Sequence, residues 1–260
     1  MNKQRKADLF VDEILRALKV SAHDKISIRH PMAMGEISGA ADVQELAITT
    51  SGIFSELVAK YRWDESNISA REWHGHFHGR QIRGVTVGRR VGTSLQLDIF
   101  LGSFPLELRQ SLHEVSKGFM DEAMWQLPAG VSDTIPLVPV GEVLDARLPF
   151  SLASDIILTS PVACKPIAGI SEVERVCGHS IMVYGGRASG PRLTEGNTTL
   201  SLWNGEVAGH PLEVANVIHW ADDQHVKVMA MAMRPWPVVA LFQARMQART
   251  RSFLDESYFE

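Results

Sequence analysis

Sliding this sequence along itself, at the spacing from Pro31 to Pro161, brings its rarest residues back into register. Pro31, Gly39 and Val43 fall on Pro161, Gly169 and Val173. Trp73, Gly75 and Gly79 fall on Trp203, Gly205 and Gly209. Val87 and Pro105 fall on Val217 and Pro235, and no gap is needed. Trp, Gly and Pro recurring in one order at one offset mark a repeated structural unit. In a chain of 260 residues this offset, half the length, predicts two tandem copies, residues 1–130 and 131–260. The Pro- and Gly-bearing stretch Leu127–Pro139 reads as their linker.

Composition narrows the class. Apolar residues are 45% and charged residues 22%, ordinary values for a globular chain. The net charge of −4, with no basic excess in either half, argues against a nucleic-acid partner. Cys164 and Cys177 are too few for a disulfide framework, so a reducing, cytoplasmic setting is expected. Residues 1–20 are charged and helix-like rather than a leader, and no apolar run is long enough to suggest a membrane span.

Both halves read as α+β. In the first, Lys6–Lys19 has the spacing of an amphipathic helix, and Lys25–Arg29 of a short strand. A second helix is expected over Asp42–Tyr61, then strands over Asn67–Phe77, Arg80–Arg89 and Ser94–Gly102, then a helix over Leu106–Trp125. In the second half a weak helix is expected near Val143–Leu148 and a strand at Asp155–Thr159. A helix over Glu172–Met182, N-capped by Ser171, follows. Strands at Thr198–Val207, Leu212–Trp220 and Val226–Met233 lead to a helix over Val238–Arg249. Each half therefore sets helices early and an antiparallel meander late.

This order resembles the SnoaL-like branch of the NTF2-like superfamily, the fold of ketosteroid isomerases and polyketide cyclases. The residues that carry the resemblance are His30-Pro31 and Ser160-Pro161 at strand ends, Gly39 and Gly169 opening a helix, and the Trp73 and Trp203 hairpins. The strand Val226–Met233 closing on Arg234-Pro235 completes it, and the second half is the closer match. The resemblance implies two tandem cone-shaped barrels, each a curved antiparallel sheet wrapped around helices with a deep apolar pocket. It also implies chemistry without metal or organic cofactor, and pairing of the two halves as an internal pseudo-dimer, with homo-oligomers open.

In the isomerase-like members a general base precedes the proline of the Pro-x7-Gly segment. Here that position is His30 in one half and Ser160 in the other. An imidazole titrating near neutrality can accept a proton, and a lone serine cannot. The resemblance puts an oxyanion donor at Thr86, or at Asn216 in the second half. His74, His76 and His78 alternate, which would put three imidazoles on one face. Gly75 and Gly79 loosen that segment, so no metal is expected, and His78 is kept as a proton-transfer candidate. Tyr61, Trp63 and Trp73 suit an aromatic ligand, and Arg83 an anionic group on it. Met229, Met231 and Met233 read as core or pocket lining, Arg234 as an ion-pair residue, and Cys177 as buried and inert.

No dinucleotide fingerprint, P-loop or nucleophile elbow occurs. The expected function is a cofactor-independent acid–base enzyme: a lyase, dehydratase, isomerase or cyclase. Its substrate would be a small apolar molecule, aromatic or polyketide- or steroid-like. His30 is the expected base, Thr86 and His78 its helpers, and Tyr61, Trp63, Trp73, Arg83, Ser160 and Asn216 the substrate contacts. The rival is a non-catalytic small-molecule binding or scaffold protein, which the serine at position 160 favours.

Overall fold

The computed structural model describes residues 8–21, 23–127, 148 and 150–259. The chain falls into two compact units, Met1–Gln126 and Leu127–Glu260. The expected boundary at residue 130, nearly all of the linker, and the weak helix near Val143–Leu148 (save Leu148) lie outside the described residues.

The first unit opens with α1 (Val11–Ala17), β1 (Lys25–Arg29), β2 (Ile37–Ser38) and α2 (Ala40–Ser51). Four long strands follow: β3 (Ser55–Asp64), β4 (Ile68–Phe77), β5 (Arg80–Val91) and β6 (Ser94–Leu101), then α3 (Leu106–Ser116). The four strands form an antiparallel meander in chain order. β1 adds parallel to β6, and β2 pairs back on β1. Leu46, Leu108 and Leu112 of the helices are buried with Ile28, Leu97 and Ile99 of the strands. The apolar stripes of the helices thus meet one face of the sheet.

The second unit has β7 (Ser151–Thr159), β8 (Ile167–Ala168), α4 (Ile170–Ile181), β9 (Gly185–Glu195), β10 (Thr198–Val207), β11 (His210–Trp220), β12 (His225–Arg234) and α5 (Trp236–Thr250). Its meander runs β9 to β12, with β7 parallel to β12 and β8 on β7. Both units are therefore α+β around antiparallel strands, as the patterning implied. Among the described residues no helix is long and apolar enough to cross a membrane.

Four local departures from the expected elements have physical causes. The helix expected over Asp42–Tyr61 stops at Ser51, and Ser55–Asp64 is a strand. Leu57, Ala59, Tyr61 and Trp63 turn inward while Glu56, Val58, Lys60 and Arg62 turn out, a period of two that the i, i+4 apolar pairs masked. β9 escaped notice because GGRASGPRLTE is polar, with only Leu193 buried, and Pro191 is tolerated at the end of a sheet. The helix expected to Trp125 ends at Ser116, and only a 3-10 turn forms at Glu122–Trp125. α4 starts at Ile170 with Gly169 as its cap residue, so Ser171 is already inside the helix.

The gap-free offset also needs correction. It holds through the β4–β5 and β10–β11 hairpins, where His78-Gly79 and Ala208-Gly209 both take positive φ, a type I′ turn whose twist suits antiparallel strands. In the next hairpin, Gly92 and Thr93 join Val91 to Ser94, but four residues join Trp220 to His225. Asp222 orders the longer loop by accepting the Gln224 and His225 backbone N–H groups at 2.9 Å. Leu101 faces Gly84 while Met233 faces Val214, so Leu101 corresponds to Met233 and the last strands run two positions out of the common offset. Shortening before Pro235 restores it, and Pro105 again falls on Pro235.

Candidate functional site

His30 sits where β1 ends, with no solvent exposure. The chain turns there, and the Met32 backbone N–H donates to Nδ1 at 3.3 Å. That leaves the proton of a neutral ring on Nε2, which lies 3.4 Å from Thr50 Oγ1 on α2. The ring edge also meets Trp125, with centroids 6.3 Å apart. Thr86, the expected oxyanion donor, is likewise buried, and its hydroxyl oxygen accepts the Trp73 indole N–H at 3.0 Å. The structure thus pairs His30 with Thr50, and Thr86 with Trp73.

Trp73 reaches Thr86 because Gly84 leaves room. A Cβ on Gly84 would lie 2.2 Å from the indole Cζ2, far inside van der Waals contact. The remaining candidates of this unit lie apart. His78 is exposed at the hairpin tip, stacked on Phe77 at 4.2 Å. Trp63 is buried and Tyr61 half-buried, 5.9 Å apart on β3. Arg83 pairs with the buried Glu72 at 3.3 Å, and His74 lies 3.9 Å from the same carboxylate oxygen. His76 instead pairs with Glu56 at 3.2 Å. Among the described residues no group of histidines, cysteines or carboxylates could hold a metal ion.

This unit also carries a broad open groove of about 700 Å³ along β1, β2 and β6. Its Glu36 carboxylate accepts hydrogen bonds from Ser27 and Gln96 at 3.3 and 3.2 Å.

The second unit differs at three aligned positions, and together they change the interior. Ser160 replaces His30, Ser180 replaces Thr50, and Val214 replaces Gly84. Val214 denies the indole the place that Gly84 leaves open in the other unit. Trp203 packs on Tyr184, with centroids 5.0 Å apart, as Trp73 packs on the aligned Phe54 at 5.4 Å, and it also lies beneath the Arg187 guanidinium at 4.8 Å. The two serines take less space than imidazole and threonine. A cavity of about 40 Å³ lies here, lined mostly by apolar groups and bordered by Ser160, Ser180, Tyr184 and Trp203. Met231, Met233 and Met246 complete much of its wall, and such unbranched side chains can move aside for a guest. The space holds about three waters as it stands.

Asn216 lies on the same sheet face, directly across from Met231 and Ser201. Its residue position corresponds to Thr86, but among the described residues no indole serves it, and its buried Oδ1 has no hydrogen-bond partner. A buried unpaired amide oxygen costs about 1–3 kcal/mol and is a place where a ligand donor would be rewarded.

The cavity's ionisable groups stay neutral. Burial, reinforced by the charge of Glu174, pushes the Cys177 thiol up to about 12. Burial also raises Tyr184, against the opposing charge of Arg187. Ser160 Oγ accepts the Val162 N–H at 3.4 Å, the role that the His30 ring plays in the other unit. Ser180 donates to the Cys177 carbonyl at 2.7 Å. These are neutral hydroxyl, thiol and amide groups in an apolar wall, suited to holding a small ligand with one or two polar atoms.

Sequence reasoning located Ser160 and Asn216 but passed over Tyr184 and Ser180. The signal was available in the exchange of Gly84 for Val214 beside the recurring tryptophan. A side chain at that position takes the space that the Trp73 indole occupies over Gly84.

No family model matches the chain, and no curated protein matches it. Among solved structures it is similar to a steroid delta-isomerase from Pseudomonas aeruginosa, at 23% identity and a TM-score of 0.37, covering 39% of this chain and 76% of that one. It is also similar to an uncharacterized bacterial protein with a cystatin-like fold from Silicibacter pomeroyi DSS-3, at 22% identity and a TM-score of 0.38, covering 39% of this chain and 72% of that one. A de novo designed protein with a curved β-sheet matches at 10% identity and a TM-score of 0.31, over 46% of this chain and 100% of that one.

Proposed function

We propose that this chain binds a small, largely apolar molecule in the interior of its second unit. The observation that carries this reading is the cavity beside Ser160, Tyr184 and Trp203, with the unpartnered Asn216 amide oxygen on the same sheet face. A guest with a hydroxyl or N–H group would satisfy that oxygen while its apolar part displaces the methionines. The volume supports a compact aromatic or short aliphatic guest better than a polycyclic one, since drug-sized ligands occupy roughly 300–1,000 Å³. The NTF2-like, SnoaL-like arrangement belongs to this reading: strand, helix, meander and closing helix recur in each unit, and the helices cover one sheet face.

Refilling the space tests it. Ser160→His installs the residue of the other unit. Calorimetry with phenol and indole as probes should show binding to the wild type and loss of at least ten-fold affinity in Ser160→His. Equal affinity in both proteins would reject the cavity as the site.

A second reading keeps the acid–base enzyme, an isomerase, dehydratase, cyclase or lyase working through His30. It is favoured by one observation: the imidazole is held in a single tautomer by the Met32 N–H, with Thr50 at its other nitrogen. Turnover of candidate ketones or hydroxy-aromatics that survives His30→Ala unchanged would dismiss it.

A further inference from the structure

In the second unit α4 and α5 pack against each other, and their adjoining flanks are basic. α4 contributes Arg175 and His179, and α5 contributes Arg245 and Arg249, each pair one helical turn apart. Like charges at this spacing repel, so Arg245 and Arg249 form an unfavourable pair on α5, and Arg175 and His179 form one on α4 once the imidazole is protonated. Phe253 bridges the helices. The Arg175 guanidinium lies 3.8 Å over its ring, and the His179 ring is 5.3 Å from it.

Among the described residues the buried His179 Nδ1, Arg245 Nε and Arg249 Nε have no hydrogen-bond partner. None of the four side chains holds an ion pair among the described residues. Of the acids near in sequence, Glu172 lies against Gly169 at the far end of α4, Asp255 accepts from the Ser257 N–H at 2.9 Å, and the charge of Glu174 bears on Cys177. Burial and the charges of Arg249 and Arg175 together hold His179 below its ordinary value, so the ring itself registers the surplus of positive charge.

We propose that this flank is an oxyanion-binding site, which takes the carboxylate or phosphate group of a small molecule between Arg175, His179 and Arg249. Guanidinium groups match such oxygens with paired N–H donors, and an imidazolium adds a third direction. The site goes beyond the cavity reading without depending on it.

The test follows the His179 ring by NMR in the full chain, its resonance identified by comparison with His179→Gln. Inorganic phosphate and acetate are titrated separately against sodium chloride at matched ionic strength. A saturable shift with phosphate, acetate or both, and a rise in the His179 titration midpoint, are expected. Arg249→Gln should weaken it about ten-fold, the loss of one charge-assisted hydrogen bond. Saturation by acetate alone identifies a carboxylate site, and by phosphate alone a phosphate site. A shift that chloride reproduces, no saturation by either anion, or an unchanged affinity in Arg249→Gln would overturn the proposal. Should Arg249→Gln fail to fold, the exposed Arg175→Gln variant makes the same comparison. Phenol binding in the cavity is read independently, so either reading can fail alone.

Discussion

Trp73 lies over Gly84, its indole nitrogen 3.0 Å from Thr86 Oγ1. Neither partner can change alone. Gly84→Val, the residue found at the aligned position 214, should destabilise the first unit by about 3 kcal/mol through overpacking. Urea unfolding monitored by tryptophan fluorescence measures it. A change no larger than that of an ordinary surface substitution would mean that the indole has another place to go.

The two thiols should separate cleanly under alkylation. Cys164 is exposed, whereas Cys177 is buried and its thiol is pushed up to about 12. Iodoacetamide needs the thiolate. Mass spectrometry of the folded protein at pH 8 should therefore show one modification, at Cys164, and two only after denaturation. Equal labelling rates would contradict the burial of Cys177.

Arg234 is almost wholly buried and donates to Glu213 at 2.9 Å. Arg234→Met should cost about 3 kcal/mol, because it leaves the Glu213 carboxylate without its cation. The double variant Arg234→Met with Glu213→Gln should recover a substantial part of that. Strictly additive losses in a double-mutant cycle would show that the pair is not coupled.

His179 sets a pH dependence. Its folded value lies below 6.5, through burial and the neighbouring Arg249 and Arg175. The unfolded chain therefore binds the proton more readily, and stability attributable to this group falls as pH drops below 6.5. His179→Gln should flatten the acid limb of thermal stability relative to wild type, while the two agree above neutrality. Parallel curves through pH 5 to 7 would refute the assignment.

How far the sequence was legible depends on what each residue reports. The hairpins could be read because a tip such as Ala208-Gly209 leaves a mark in residue type. β3 could not, since Ile53, Phe54, Leu57 and Val58 satisfy helical spacing as well, and only sheet partners decide between the two. β9 has almost no apolar signal and is held by its backbone pairing with β10. At the site, position 160 was visible from its proline. The cavity was not, because it depends on the summed volumes at positions such as 160, 180 and 203, which approach only in the fold.

The hairpin between β11 and β12 shows what kind of change a packed sheet accepts. It is longer by two residues, one in the loop, where Trp220 pairs with Val226 as Arg90 pairs with Leu95, and one at an irregularity that skips Lys227 and sets Val228 opposite His219; together they make the period of a strand. Met231 and Met233 therefore still point where Ile99 and Leu101 point in the other unit. Either residue alone would have turned the strand over, sending Ala230 and Ala232 to the helices and the methionines to the opposite side; the skipped Lys227 offsets the extra loop residue. Parity, more than length, governs how this chain can be edited between its strands.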